Sequence, residues 1–336
     1  MTRLVLVAGT TRTAEIPNIS AAGADPDVLV HTPAADAEIV AYGRPVRAPV
    51  TPVSPSGTPT PAVLTRAVRA ELGFDVTVLD GGLAKPTAAA TVTVGARAGG
   101  DIRESDPVPT APGAFEAARR FGRAIPDDEV ILAETIPGGT TTALGVLTAL
   151  GEPASVSSSL PDNPIERKRE IVAAGLEASG LEESDTAGRP KRAVRRMGDP
   201  VLATATGFAL GARRSDTAVT LAGGTQMLAV VALLRHAGLE GSLSLATTEY
   251  VAADPSADVD GLAAALDVEV TATDPGFEAL DHPAAAGYLD GEAKEGVGMG
   301  GALALADRAG LPMATVRDRV ATLTDRLLAT APEGAP

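Results

Sequence analysis

Short apolar segments alternate with segments of helical periodicity along most of this 336-residue chain. The apolar segments lie at residues 4–8, 28–31, 76–80, 130–133, 218–222, 243–246 and 268–271. Most of them carry apolar side chains at consecutive positions, so both faces of each strand would be buried, as in parallel strands covered by helices on either side. This alternation limits the chain to a layered α/β architecture.

The segments between these strand candidates have the apolar spacing of amphipathic helices. They lie at residues 62–72, 114–123, 141–150, 165–176, 201–213, 227–236 and 261–266, and residues 313–328 form a closing helix by the same pattern. The order strand, helix, strand, helix predicts a Rossmann-like three-layer fold with a mainly parallel sheet flanked by helices.

Two stretches interrupt this pattern. Residues 44–61 are rich in proline and predict a stiff extended loop, and residues 177–190 are polar. We expect a smaller N-terminal α/β subdomain at residues 1–110 and a catalytic α/β core at residues 111–330. Neither interruption is long enough to prove separate domains, so we treat the two parts as one continuous domain.

The charge balance is strongly acidic. The 43 acidic side chains outnumber the 28 lysines and arginines, which gives a net charge of −15. Such a surface repels nucleic acid, and we expect no nucleic-acid partner. Few lysines, few aromatic residues and many carboxylates are typical of a halophilic protein, since concentrated salt screens the repulsion between like charges.

The composition excludes other classes of site. The chain has no cysteine and three scattered histidines, His31, His236 and His282, which speaks against a metal centre. No apolar run approaches the roughly 20 residues of a membrane span. We therefore expect a soluble, cytoplasmic protein without a membrane partner.

One segment points to a ligand. Residues 133–143 read A-E-T-I-P-G-G-T-T-T-A and directly follow an apolar strand candidate. A buried strand that ends in a carboxylate, followed by glycines and three hydroxyls at the start of a helix, brings backbone N–H groups and side-chain donors to one point. That combination suits the phosphate group of a small molecule.

This segment resembles the G-E-M-G-I-G-N-T-T phosphate loop of the nicotinate-nucleotide:dimethylbenzimidazole phosphoribosyltransferases. Four further segments are similar in the same chain order: R-K-R-E-I-V around Lys168, G-D-P-V-L-A-T-A-T-G-F-A-L-G-A at 198–212, P-S-A-D at 255–258 and K-E-G-V-G-M-G-G-A-L at 294–303. The N-terminal segments I-P-N-I-S-A-A-G-A, T-P-A-A-D-A-E and P-T-P-A-V-L-T-R-A, and L-A-G-G-T-Q-M at 221–227, resemble an archaeal branch of uncertain assignment.

The resemblance implies an activity. Enzymes of this family transfer the phosphoribosyl group of nicotinate mononucleotide to a benzimidazole-type base and give an α-ribazole phosphate for cobamide assembly. The resemblance also favours a homodimer, with nicotinate mononucleotide and an aromatic base as its partners. We expect no metal and no cofactor, because no acidic loop of the diphosphate-binding type is evident and the pyridinium ring becomes neutral as nicotinate departs. A protein that binds a nucleotide or a cobamide precursor without catalysis is the alternative.

Individual residues take roles from this resemblance. Glu295 matches the family's proposed catalytic base, and Glu134 would lie in the same pocket and bind the ribose hydroxyls or orient the base. The residues expected to bind phosphate and ribose are Gly138, Gly139, Thr140, Thr141, Lys168, Ser256, Gly223, Gly224 and Gly296.

Each of these residues also has a purely structural interpretation. Gly138 and Gly139 fit a tight strand-to-helix connection, and Glu295 fits the first turn of a helix, where the macrodipole favours a carboxylate. Lys168 fits a solvated helix face, and Ser256 fits a turn. Five matches in the same order favour the functional interpretation. The G-x-G-x-x-G at residues 296–301 does not indicate a dinucleotide site, because polar residues and no strand precede it.

Overall fold

A computed structural model of the chain describes residues 2–20, 26–54 and 56–329. Its centre is a seven-stranded sheet in the order β3-β2-β1-β4-β5-β6-β7, and every neighbouring pair of strands is parallel. The strands are β1 Arg3–Ala8, β2 Asp75–Asp80, β3 Thr91–Thr93, β4 Glu129–Thr135, β5 Ala218–Ala222, β6 Leu243–Thr248 and β7 Val268–Thr273. The predicted parallel α/β fold is confirmed.

Fourteen helices connect the strands within the described residues. They are α1 Pro26–Leu29, α2 Thr32–Tyr42, α3 Ala62–Leu72, α4 Ala111–Ala124, α5 Gly139–Leu150, α6 Ile165–Ser179, α7 Pro190–Met197, α8 Pro200–Arg213, α9 Thr225–His236, α10 Glu249–Ala252, α11 Val259–Leu266, α12 Pro283–Leu289, α13 Met299–Arg308 and α14 Met313–Ala329. Two short 3-10 turns complete the regular structure, at Arg12–Glu15 and Phe277–Ala279.

Both faces of the sheet are buried, as the apolar strand sequences require. In β1, Val5 and Val7 pack into a core shared with α4, α5, α8 and α9, whereas Leu4 and Leu6 pack into a second core with α3, α13 and α14. Successive side chains of a strand point to opposite faces, so one apolar run supplies both layers.

Strands from both halves of the sequence share this sheet, because β1 pairs with β2 on one side and with β4 on the other. The order along the sheet therefore reverses between β1 and β4. The division near residue 110 stays a prediction.

One predicted strand is wrong. Residues 28–31 form the end of α1 and the turn that leads into α2. Proline favours the first turn of a helix. Helix α1 begins with Pro26, and Pro33 is the second residue of α2, so the short apolar run between them has no length left for a strand. The segment I-P-N-I-S-A-A-G-A ends at residues 21–24, which lie outside the described residues.

Other elements escaped the sequence analysis. Helices α2, α7, α10, α12 and α13 and the short strand β3 were not predicted. Helix α13 is instructive, since its Gly300 and Gly301 read as helix breakers. A Cβ on Gly300 would lie 2.3 Å from the Cα of Thr247, and one on Gly301 would lie 2.4 Å from the Cβ of Ala222. These glycines therefore allow α13 to lie directly against β5 and β6.

Candidate active site

A cleft of about 970 Å³, including solvent at its mouth, opens at the carboxyl ends of β4 and β5. Open parallel sheets bind ligands at this edge, at the point where the strand order reverses, and here that point lies between β1 and β4. The wall is made by the turn after β4, residues 157–159, the start of α9, the proline-rich loop at 52–61 and the loop at 293–297.

The turn after β4 needs both of its glycines. Gly138 has φ +75°, a left-handed conformation that glycine adopts without strain, and a Cβ there would lie 2.9 Å from the Cα of Ala14. A Cβ on Gly139 would lie 2.0 Å from Nε2 of Gln226. The turn thus brings bare backbone and the N-terminus of α5 to the cleft, where the helix dipole favours an anion.

The three threonines of this turn have different positions. Thr140 lines the cleft. Thr141 is fully buried, and its hydroxyl has no hydrogen-bond partner among the described residues. Thr142 donates a 2.5 Å hydrogen bond to the carboxylate of Asp199, which also accepts the backbone N–H of Leu202 at the start of α8. Asp199 therefore links the turn after β4 to the start of α8.

Glu295 lies in the same cleft, at the N-terminus of α13. Its carboxylate accepts the backbone N–H of Gly296 at 3.1 Å and that of Gly300 at 3.0 Å. Burial raises the pKa of Glu295 to about 7, although these hydrogen bonds favour the charged form. A carboxyl group with this pKa can exchange a proton near neutral pH.

Glu134 at the end of β4 also lines the cleft. Its backbone carbonyl accepts the N–H of Val297 at 2.9 Å, which joins the turn after β4 to the loop that carries Glu295. Burial, together with the negative charges of Asp199, Glu295 and Asp36, raises the pKa of Glu134 to about 8. Its carboxyl group is therefore protonated at neutral pH and can donate a hydrogen bond.

The loop that carries Glu295 has an unusual backbone. Ala293 and Val297 have φ values of +48° and +54°, which non-glycine residues rarely adopt, and Gly296 and Gly298 have φ values of +139° and +76°. Such conformations persist only where the surroundings hold them, and they cluster at functional sites.

Lys168 lies behind the cleft wall. It is completely buried, and its Nζ donates to the carbonyl of Ser157 at 2.8 Å and to Oδ1 of Asn163 at 3.1 Å. Burial lowers the pKa of Lys168 to about 7, with a further contribution from the charge of Lys294. Lys168 thus holds residues 157–159, which line the cleft, in place.

Ser256 lies in the same supporting layer. Its hydroxyl donates to Oδ1 of Asp254 at 2.7 Å and accepts a hydrogen bond from Nδ2 of Asn163 at 2.9 Å. Lys294, which the sequence analysis did not select, lines the cleft and forms a 2.5 Å ion pair with Asp254. Both side chains of this pair are 8% exposed.

Of the two glycines after β5, only Gly224 lines the cleft. Gly223 donates its N–H to the carbonyl of Ala246 on β6. The following residue, Thr225, accepts the N–H of Ser157 at 3.1 Å through its hydroxyl. This connection fixes residues 157–159 against the start of α9.

The predicted site residues therefore fall into two sets. Seven of them line one cleft: Glu134, Gly138, Gly139, Thr140, Gly224, Glu295 and Gly296. Four lie outside the lining: Thr141, Lys168, Gly223 and Ser256. The sequence analysis missed Asp36, Gln226 and Lys294, which also line the cleft. All three lie in segments that resemble the family, but the resemblance assigned them no role.

Within the described ranges, no three histidine, aspartate or glutamate side chains are arranged to hold a metal ion. No helix in the described part of the chain is long and apolar enough to cross a bilayer.

The chain is similar to proteins of several archaea. A UPF0284 protein of Halobacterium salinarum is 59% identical over 327 residues, which covers 97% of this chain and 98% of that protein. A UPF0284 protein of Methanothermobacter thermautotrophicus is 39% identical over 336 residues, with coverage of 97% and 93%. No protein-family model matches the chain.

Solved structures share its fold. A nicotinate-nucleotide-dimethylbenzimidazole phosphoribosyltransferase from Thermus thermophilus superimposes with a TM-score of 0.59 at 16% identity, over 96% of this chain and 82% of that one. CobT from the same organism gives a TM-score of 0.60 at 18% identity, with coverage of 96% and 83%. At these identities the likeness concerns the fold alone.

Proposed function

We propose that this chain, which belongs to the UPF0284 family of archaeal proteins, transfers the phosphoribosyl group of nicotinate mononucleotide to an aromatic nitrogen base. The product is an α-linked ribotide for cobamide assembly. One observation carries this proposal: the glycine turn after β4 and the carboxylate of Glu295 line a single cleft. The shared fold with a phosphoribosyltransferase supports it.

In this proposal the phosphate binds at the turn after β4. Gly138, Gly139 and Thr140 present the N-terminus of α5 to the cleft, and the serines at 157–159 add hydroxyl groups opposite. Lys168 acts on the phosphate indirectly, since its charge lies behind Ser157. Lys294 also lines the cleft, but its ammonium is paired with the carboxylate of Asp254.

Glu295 is the general base. As the lone pair of the acceptor's ring nitrogen forms the bond to the anomeric carbon, Glu295 takes the proton from the ring N–H. The bond from that carbon to nicotinate breaks, and its electron pair neutralises the pyridinium nitrogen. Attack from the face opposite to nicotinate inverts the configuration of the sugar carbon.

Glu134 complements this base. Its protonated carboxyl group can donate to a ribose hydroxyl, whereas a second carboxylate would repel both Glu295 and the phosphate. The raised pKa values of the two carboxyls thus allow different roles in one cleft.

The test is release of nicotinate when the protein is incubated with nicotinate mononucleotide and a benzimidazole, in molar potassium chloride. Glu295→Gln should lower turnover by ~10²–10⁴-fold, the usual contribution of a general base, with little change in nucleotide affinity. In the wild-type protein, kcat/KM should rise with pH through about 7, because only the ionised carboxylate accepts the proton.

Glu292→Gln is the matched control. Glu292 is a buried carboxylate three positions from Glu295, lies outside the cleft lining and accepts hydrogen bonds from Ser56 and Thr58. Any decrease in the turnover of Glu292→Gln measures the effect of disturbing the loop without removing the proposed base. If the wild-type protein binds the nucleotide but releases no nicotinate with any base, the protein is a non-catalytic binding protein.

A further inference from the structure

A second part of the cleft wall is polar and carries a carboxylate and hydroxyl groups where the first carries glycines. It consists of Thr32 and Asp36, which lie one helical turn apart on α2, together with Thr60 and Thr135. Thr32, Asp36 and Thr60 lie outside the segment that suggested a phosphate, whereas Thr135 belongs to it. This group is called the α2 wall below.

Asp36 is the centre of the α2 wall. Only 2% of the residue is exposed. Thr60 donates its hydroxyl to one carboxylate oxygen and Thr135 donates to the other, both at 2.7 Å. A carboxylate can accept about four hydrogen bonds, so Asp36 keeps acceptor capacity on the side that lines the cleft.

Thr32 provides an independent indication of a ligand. It lines the cleft, is 6% exposed, and its buried hydroxyl has no hydrogen-bond partner among the described residues. A buried hydroxyl without a partner is costly, and such atoms in a cleft are commonly satisfied by a bound molecule.

The charges around the cleft indicate which part of the ligand contacts the α2 wall. Asp36 and Glu295 both contribute negative potential at Glu134. A phosphate would be repelled by Asp36, whereas the backbone N–H groups of the glycine turn favour an anion. The α2 wall therefore belongs to the part of the cleft that takes the acceptor base.

From these contacts we infer that the acceptor is a fused heteroaromatic base with an additional N–H or O–H donor on its ring, which Asp36 accepts. This inference rests on the proposed function and specifies its substrate class. A base that carries only methyl groups at this point would leave the Thr32 hydroxyl without a partner and the remaining acceptor capacity of Asp36 unused. A site built around polar groups rejects such an analogue strongly.

The test compares an aminobenzimidazole with the methylbenzimidazole substituted at the same ring position, since the two differ little in size. Calorimetry with saturating nicotinate mononucleotide gives the affinity of each base, and nicotinate release gives kcat/KM. The wild-type protein should favour the amino compound by ~10–100-fold in both measurements, the usual effect of a hydrogen bond to a charged group.

Asp36→Asn should reduce this preference to within ~3-fold, because it removes the charge but keeps the volume and still allows contacts with Thr60 and Thr135. Glu38→Gln is the matched control. Glu38 is also a buried carboxylate on α2, accepts backbone N–H groups of Arg47 and Ala48, and does not line the cleft. It should leave the preference unchanged even where it lowers stability.

The outcomes separate the two proposals. Equal affinity of the wild-type protein for both bases, or a preference for the methyl compound, overturns the inference, and this result needs no variant to fold. A wild-type protein that binds the amino base selectively but releases no nicotinate contradicts the proposed activity and retains the inference about the base.

Discussion

Replacing Glu134 with glutamine should change how the stability of the protein depends on pH. Burial is the main reason why the pKa of Glu134 is raised from 4.5 to about 8. The folded protein therefore holds this proton more tightly than the unfolded chain. The stabilisation that the Glu134 carboxyl group contributes is fully present below pH 4.5 and is lost as the pH rises towards 8, because the unfolded chain ionises at a lower pH than the folded protein.

The magnitude follows from the two pKa values. At about 1.4 kcal/mol per pH unit, the wild-type protein should lose about 3 kcal/mol between pH 4.5 and 7 and about 4 kcal/mol between pH 4.5 and 8 because of this group. No discount for solvent screening applies, because the Glu134 residue is only 7% exposed. Glutamine has the same size and does not titrate, so the variant escapes this loss.

The assay is urea unfolding of both proteins at pH 5 and pH 8 in the same concentration of potassium chloride. The free energy of unfolding of Glu134→Gln, measured relative to wild type, should be higher at pH 8 than at pH 5 by several kcal/mol. A difference that is the same at both pH values would show that the carboxyl group ionises normally, and the reasoning from burial would fail.

Three further predictions concern the turn and the surface. Gly139→Ala should weaken binding of nicotinate mononucleotide at least ~10-fold in calorimetric titrations, because the new methyl group displaces Gln226. Gly113→Ala, in open space near the start of α4, should instead stabilise the protein by about 0.5–1 kcal/mol and leave binding unchanged. Thr142→Val should lower the free energy of unfolding by about 1–3 kcal/mol, since the buried Asp199 carboxylate loses a donor; an unchanged urea midpoint would contradict this. The melting temperature should rise between dilute buffer and molar potassium chloride, as a net charge of −15 requires if the surface is adapted to salt.

The sheet could be predicted from the sequence because strand burial on two faces leaves a continuous apolar run. Six of the seven strand candidates coincide with observed strands. The exception, at residues 28–31, is also apolar, and periodicity cannot distinguish so short a run from a helix end. The prolines at 26 and 33 were the signal that could have corrected it.

The cleft was only partly predictable for a different reason. The turn after β4 and Glu295 belong to contiguous motifs, so local sequence identifies them. Asp36 becomes part of the site only through partners 24 and 99 positions away, Thr60 and Thr135. Lys168 is the reverse case, a residue that was predicted to bind phosphate but lies outside the cleft lining. Its motif could not reveal that its amine would bind the carbonyl of Ser157 behind the cleft wall.

The proline-rich residues 52–54 and 56–61 border the cleft and, in the described part of the chain, add no strand to the sheet. They are held by hydrogen bonds from the hydroxyls of Ser56 and Thr58 to Glu292 and from the hydroxyl of Tyr288 to the carbonyl of Pro59, and not by strand pairing with the sheet. This border can therefore change in length or composition without disturbing the strand register that positions the glycine turn. Under the proposed function, a chimera that exchanges this loop with that of a relative should change the preferred acceptor base and leave nucleotide binding unchanged.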